Sequence, residues 1–173
     1  MIFSNTTFAK SRNKEKERSE IQKATSKGLA ELYKLNPNAK KEISSAYGYA
    51  VFSTTGVNLL VVASSNGAGL ARSKGKDIYM KMYSAGVGVG AGVKKFYAIF
   101  IFSTSKAYTN FVNSGYQVKG QGDAGAKDNK KGASVSSAIS IAPGVRLYQI
   151  TSKGISAQIT IDGSKYWKDK DLN

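Results

Sequence analysis

Apolar residues early in the chain recur at helical spacing. Ile21, Ala24, Gly28, Leu29, Leu32, Tyr33 and Leu35 share one side of a helix starting near Ser19. Asn36-Pro37 ends it, because the residue before proline is pushed out of the α region. A short second helix fits Pro37 to Ala46, with proline in its first turn and Ile43 and Ala46 on one side. From Tyr47 the pattern changes to short alternating or continuous apolar runs divided by Gly, Asn and Ser. These predict strands at 47–54, 57–64, 67–73, 77–83, 86–93, 95–102, 133–142, 144–151 and 154–161. Hairpin turns fall at Ser73 to Lys76 and Ser152 to Gly154. One helix interrupts the strands: Ser103 to Gly115 opens with a hydroxyl cap, carries Ala107, Phe111 and Val112 at core spacing, and stops at glycine. The expected fold is α+β, with a mainly antiparallel sheet, strongly curled or barrel-like, packed with the N-terminal helices and one mid-chain helix. Phe96 to Phe102 belongs at the centre of that sheet, since strands buried on both faces read as continuous apolar runs. That run is also the longest apolar stretch, far below the ~20 residues of a membrane-spanning helix.

At 173 residues and 41% hydrophobic content, the chain has the size and core of one domain. Residues 1–18 are expected to be a flexible basic N-terminal segment and 19–173 the domain. Gly120 to Gly132, poor in apolar residues and rich in Gly, Lys and Asp, reads as an exposed loop. Lys and Arg number 26 against 11 Asp and Glu, a net charge of +15 that favours anionic partners such as phospholipid head groups, nucleic acid or acidic protein surfaces.

Candidate chemistry is thin. The chain has no cysteine and no histidine, which removes disulfides, thiol nucleophiles, Ser-His-Asp triads and the usual zinc, haem and copper ligands. Beyond residue 46 the only carboxylates are Asp77, Asp123, Asp128, Asp162, Asp169 and Asp171, and the pairs Asp123/Asp128 and Asp169/Asp171 fall in loop or tail. A non-enzymatic protein without cofactor or metal is expected. Gly86-Val-Gly-Val-Gly-Ala-Gly92 invites a dinucleotide reading. The β-branched and aromatic run after it is not a helix, and no acidic residue occurs until Asp123 to meet a ribose, so the glycines read as close-packing positions on a strand. Base stacking on the 10 Tyr and 7 Phe is likewise disfavoured, because Phe96, Tyr97, Phe100 and Phe102 form no nucleic-acid-binding pattern.

Lys10, Arg12, Lys14, Lys16, Arg18, Lys23 and Lys27 are interleaved with Glu15, Glu17 and Glu20. A solvated helix face is one reading. The other is an interfacial helix whose lysines and arginines meet lipid phosphates while Ile21, Leu29, Leu32 and Leu35 enter the head-group region; the same apolar stripe serves equally to cover the sheet. The candidate lipid-binding residues are Lys14, Lys16, Arg18, Lys23 and Lys27, with Lys127, Lys130 and Lys131 of the loop as a second cluster. Ile2, Phe3 and Ala9 before a polar run resemble the end of an export signal. The expected location is therefore periplasmic or exported and peripheral to a membrane, or cytoplasmic if Met1 is the true start.

Several segments, in order, resemble the SYLF domain family, a lipid-binding and actin-regulating module. They are Leu32-Tyr33, Ala39-Lys40, Ala46-Tyr-Gly-Tyr-Ala-Val-Phe52, a Gly67/Gly69 turn, Tyr83-Ser-Ala85 with Gly86-x-Gly-x-Gly90, the strand Phe96 to Phe102 with the helix after it, and Leu147 to Ser164. Ser53 stands where the family commonly has proline, Met82-Tyr83-Ser84-Ala85 where many members have Trp-Ser-x-Pro, and the tail carries Lys165-Tyr166-Trp167 without the family's usual Tyr-Tyr-Gly. The closest pattern is a stand-alone bacterial-type member. The resemblance implies non-enzymatic binding of anionic phospholipid, phosphoinositide-like or a bacterial anionic lipid. The alternative is a module binding an acidic protein such as actin; nucleic-acid binding ranks below both, and no specific nucleic acid is expected.

Overall fold

Seven consecutive apolar residues, Phe96–Phe102, form a strand with every side chain buried. Both its faces therefore need a covering layer, and the chain supplies one on each side. The computed structural model describes residues 3–54, 65–84, 96–119, 138–156 and 163–173. In chain order these form α1 (Phe3–Leu35), α2 (Asn38–Ser45), β1 (Gly48–Ser53), β2 (Ser65–Ser73), β3 (Lys76–Ser84), β4 (Phe96–Phe102), α3 (Ser105–Ser114), β5 (Tyr116–Gln117), β6 (Ile139–Ala142), β7 (Val145–Thr151), β8 (Gly154–Ile155) and β9 (Lys165–Lys168). The expected strands 57–64 and 86–93 and the Gly120 to Gly132 loop lie outside the described residues, as do residues 133–137 of the strand expected at 133–142 and 157–161 of that expected at 154–161.

All strand pairs are antiparallel, in the order β5-β9-β3-β2-β1-β4-β7-β6, with β8 pairing β7. The fold is α+β with a strongly curled sheet, and ring positions measure the curl. Tyr166 on β9 stands three strands from Phe52 on β1 and four from Phe100 on β4. In a flat sheet those strands would be about 14 and about 19 Å apart at ~4.8 Å per strand. The ring centroids are 4.7 and 4.8 Å apart. Inside the curve Phe52, Phe100, Phe102, Met80, Met82, Leu147 and Tyr166 pack with Tyr108, Phe111 and Val112 of α3. Strand alternation sends Val51, Tyr97, Ile99, Ile101, Tyr148 and Ile150 to the outer face, where Leu32 of α1 and Ala39 and Ile43 of α2 cover them.

Close approaches fix the layers. Phe52 pairs across the sheet with Gly69, and a β-carbon at that glycine would collide with the Phe52 ring. On the outer side α1 crosses the sheet at Gly28, where a β-carbon would lie 2.8 Å from the Tyr97 ring and 3.1 Å from Val51. α2 is held by Glu42, which accepts hydrogen bonds from Arg146 and, at 2.7 Å, from the Tyr148 hydroxyl. The C-terminal residues clasp the middle of α1. Arg18 Nε donates to the Leu172 carbonyl at 2.8 Å, its guanidinium lies 5.8 Å from the centre of the Tyr79 ring, and Ile21, Leu70, Tyr79 and Leu172 form a small cluster. The Asn173 amide engages both the N–H and the carbonyl of Tyr79, at 2.9 and 2.8 Å.

Three expectations change. α1 begins at Phe3, well before Ser19. Its first half has no apolar period to read, but it also has no Gly or Pro, and its charged residues suit a helix. Gly67 and Gly69 lie within β2 and not in a turn. The tail supplies β9, which pairs with β3 and buries Tyr166; four residues are too short for a strand period to declare itself.

Two outcomes follow from this packing. Gly28→Val should lower stability by about 1–3 kcal/mol through overpacking against Tyr97 and Val51, whereas Ala30→Val on the exposed side of α1 should cost less than about 1 kcal/mol. Thermal melts of the two variants compare them directly. The second outcome concerns alkaline pH. Burial pushes the hydroxyls of Tyr108 and Tyr148 up to about 12, with the Glu42 hydrogen bond adding to the effect at Tyr148, and burial raises Tyr166 as well. The unfolded chain loses these protons near the ordinary tyrosine value of about 10. Their stabilising contribution is therefore whole below pH ~10 and disappears as pH climbs through about 12. Melting temperature measured along a pH series should fall across that window, and less steeply in Tyr108→Phe.

Candidate functional site

The buried stripe of α1 runs through Ile21, Thr25, Gly28 and Leu32. Lys14 and Arg18 continue the same line and are half-buried. With 3.6 residues per turn, the opposite face carries Arg12, Lys16, Lys23, Lys27 and Lys34, all exposed. They form one ridge about 33 Å long at 1.5 Å per residue. Glu20 and Glu31 are the acidic residues beside it, one turn from Lys16 and Lys23 and from Lys27 and Lys34. Among the described residues none of these five cations is in an ion pair. Residues 7–13 are exposed on every side, and Phe8 is 68% exposed.

The expected lipid-binding residues are thus divided. Lys16, Lys23 and Lys27 share the ridge. Lys14 and Arg18 face the sheet side, and Arg18 is tied to the C-terminal clasp. Leu32 is fully buried and Leu29 packs beside it on the sheet, so the apolar stripe is committed to the fold. Lys127, Lys130 and Lys131 lie outside the described residues. Arg12 and Lys16 line up with the rest of the ridge only because the helix begins at Phe3 and not near Ser19, and Lys34, inside the expected helix, is not among the expected residues.

A second basic feature lies where α3 meets the β2–β3 turn. A cleft of about 490 Å³ is lined by Tyr47, Lys74, Lys76, Thr109, Asn113 and Lys168, among others, and no carboxylate among the described residues lines it. The Lys74 ammonium sits 5.3 Å from the centre of the Tyr47 ring, and Lys168 Nζ donates to Asn113 Oδ1 at 3.1 Å. Tyr47 is lowered from the ordinary tyrosine value by a hydrogen bond with Ser105 and by the Lys74 charge, against some desolvation. A neighbouring cleft shares Lys76 and Lys168 and extends to Arg18. Asp77 lines that second cleft, but its carboxylate is held by Arg72 in a two-pronged pair at 2.5 and 2.9 Å.

The other carboxylates of the sheet are engaged as well. Glu42 serves the α2 clamp, and Asp169 accepts the backbone N–H groups of Asp171 and Leu172 and lies 3.7 Å from Lys81. Among the described residues no group of three or more carboxylates is placed to hold a metal ion, and no helix is long and apolar enough to cross a membrane. What this surface offers is cationic charge at fixed positions, suited to binding anions. Lys74, Lys76 and Lys168 escaped the sequence reading because Lys168 joins the other two only through the pairing of β9 with β3.

No protein-family model matches the chain. Over 146 residues it is 36% identical to Beta cell expansion factor A of Aeromonas veronii, a match that covers 83% of this chain and 54% of that protein. The chain therefore spans about half the length of the curated relative it matches, and it is similar to that relative over most of its own length.

Proposed function

We propose that this protein is a non-enzymatic binder of anionic phospholipid surfaces, a SYLF-like module that works at the periphery of a membrane, exported or periplasmic. The observation that carries the reading is the ridge of Arg12, Lys16, Lys23, Lys27 and Lys34 along α1, exposed and, among the described residues, in no ion pair. Each Lys or Arg brought near an anionic membrane contributes about 1 kcal/mol, so five along one line contribute roughly 5 kcal/mol. The order of SYLF-like motifs in the sequence supports the same conclusion. In this reading the helix lies on the head groups and does not insert its apolar stripe, because Leu32 and Ile21 are already used in the fold. Phe8, 68% exposed in the first turns of α1, supplies shallow anchoring.

The reading is tested by flotation with phosphatidylcholine vesicles carrying phosphatidylglycerol, at ~0.1 M salt, where charges more than about 10 Å apart are screened but contacts survive. Lys16→Glu/Lys23→Glu/Lys27→Glu should stop the protein floating and leave its melting temperature unchanged. Arg18→Glu should behave oppositely, with vesicle binding largely kept and the melting temperature lowered through loss of the Leu172 bond. A triple variant that floats like the wild type would remove the ridge from the mechanism.

A further inference from the structure

The basic ridge attracts any anionic surface and has no means of choosing among head groups. The cleft between α3 and the β2–β3 turn is different in kind, because its cations come from separate parts of the chain and converge on a concave site. Lys74 and Lys76 flank the tip of the turn, and Lys168 enters from the end of β9. Lys168 is held in place by Asn113, and the turn is fastened to the sheet by Ser73 Oγ, which donates to the Tyr47 carbonyl at 2.7 Å. Lys74 has a φ of 51°, the one left-handed residue other than glycine among the described residues. Turns of this shape favour Asn, Asp or Gly at that position, and a lysine accepting the strain points to a role for its ammonium.

We propose that this cleft binds a phosphate monoester, with Lys74, Lys76 and Lys168 around the phosphate oxygens and the Thr109 and Tyr47 hydroxyls as further donors. A monoester carries close to two negative charges near neutral pH and three acceptor oxygens, which suits three ammonium groups in a site lined by no carboxylate among the described residues. A phosphodiester has one charge and two free oxygens and fits it less well. The same chemistry occurs in the head group of a phosphatidic-acid-type lipid and in a soluble sugar or glycerol phosphate. Only the lipid source rests on the phospholipid reading above.

Titration calorimetry with glycerol phosphate, and flotation on vesicles carrying either phosphatidic acid or phosphatidylglycerol at matched surface charge, test the proposal on the full chain. The cleft variant is Lys74→Asn/Lys76→Gln/Lys168→Gln. Asparagine suits the left-handed turn and glutamine keeps a donor toward Asn113, so the melting temperature should be unchanged. At about fivefold per lysine, glycerol phosphate should bind the variant roughly a hundredfold more weakly than the wild type. Preference for phosphatidic acid in the wild type, lost in the variant, would assign the ligand to a lipid. Loss of glycerol phosphate binding without any such preference would assign it to a soluble ester. Equal glycerol phosphate binding by both proteins, or none by either, overturns the site. The two readings fail separately: a wild type that does not float on phosphatidylglycerol while the cleft results hold overturns the membrane-surface reading and leaves the cleft standing, whereas a ridge variant that still floats removes only the ridge.

Discussion

The structure depends on burying β4 on both faces. A strand of Phe, Tyr, Ala and Ile has no side to offer to water, so the sheet cannot be a single layer with one wet face. Aromatic rings supply the inner layer. Phe100 alone lies within 6.5 Å, centre to centre, of the rings of Phe52, Phe102, Phe111, Tyr116 and Tyr166. These rings come from β1, β4, α3, β5 and β9, and they meet only if the sheet bends until its β9 side faces its middle. The curl is thus a consequence of aromatic packing, and glycine at position 69 removes the side chain that would obstruct Phe52.

The outer layer follows from the same requirement and decides what α1 is free to do. Its apolar stripe is spent on Tyr97, Ile99 and Val51, which leaves the helix amphipathic in a restricted sense: one face structural, the other a bare row of cations. Charge separation of this kind lets one helix be both a rigid part of the fold and a contact surface, since the groups that hold it are not the groups it presents. Arg18 marks the boundary between the two, a cation by composition that functions as a tether.

Most of the fold was legible from the sequence. Short alternating runs placed β1, β2, β3 and β7 within a residue or two, a continuous apolar run placed β4, Asn36-Pro37 ended α1, and the hydroxyl and glycine signals bounded α3. What escaped had no local signature. Residues 7–13 lack an apolar period and are exposed on every side, and β5 and β9 are strands only by virtue of their partners. The candidate site divided in the same way. The ridge was partly visible because helical spacing is a local property, although the two lysine-rich groups on α1 could not be separated until the sheet assigned a buried side. The cleft was invisible, since it depends on a pairing of β3 with β9 between residues far apart in the chain.

That distant pairing also orders the events of folding. The hairpins β2–β3, β6–β7 and β7–β8 join neighbours in sequence and need little loop closure, whereas the Arg18 to Leu172 bond spans 154 residues. During synthesis the first helix emerges long before the segment that clasps it. Until Tyr166 enters the aromatic interior and Leu172 reaches Ile21, the growing chain holds an open, half-lined sheet with its phenylalanines uncovered. The segment that closes it is made only after the rest of the sheet, so until then the nascent domain stays in the state most exposed to aggregation.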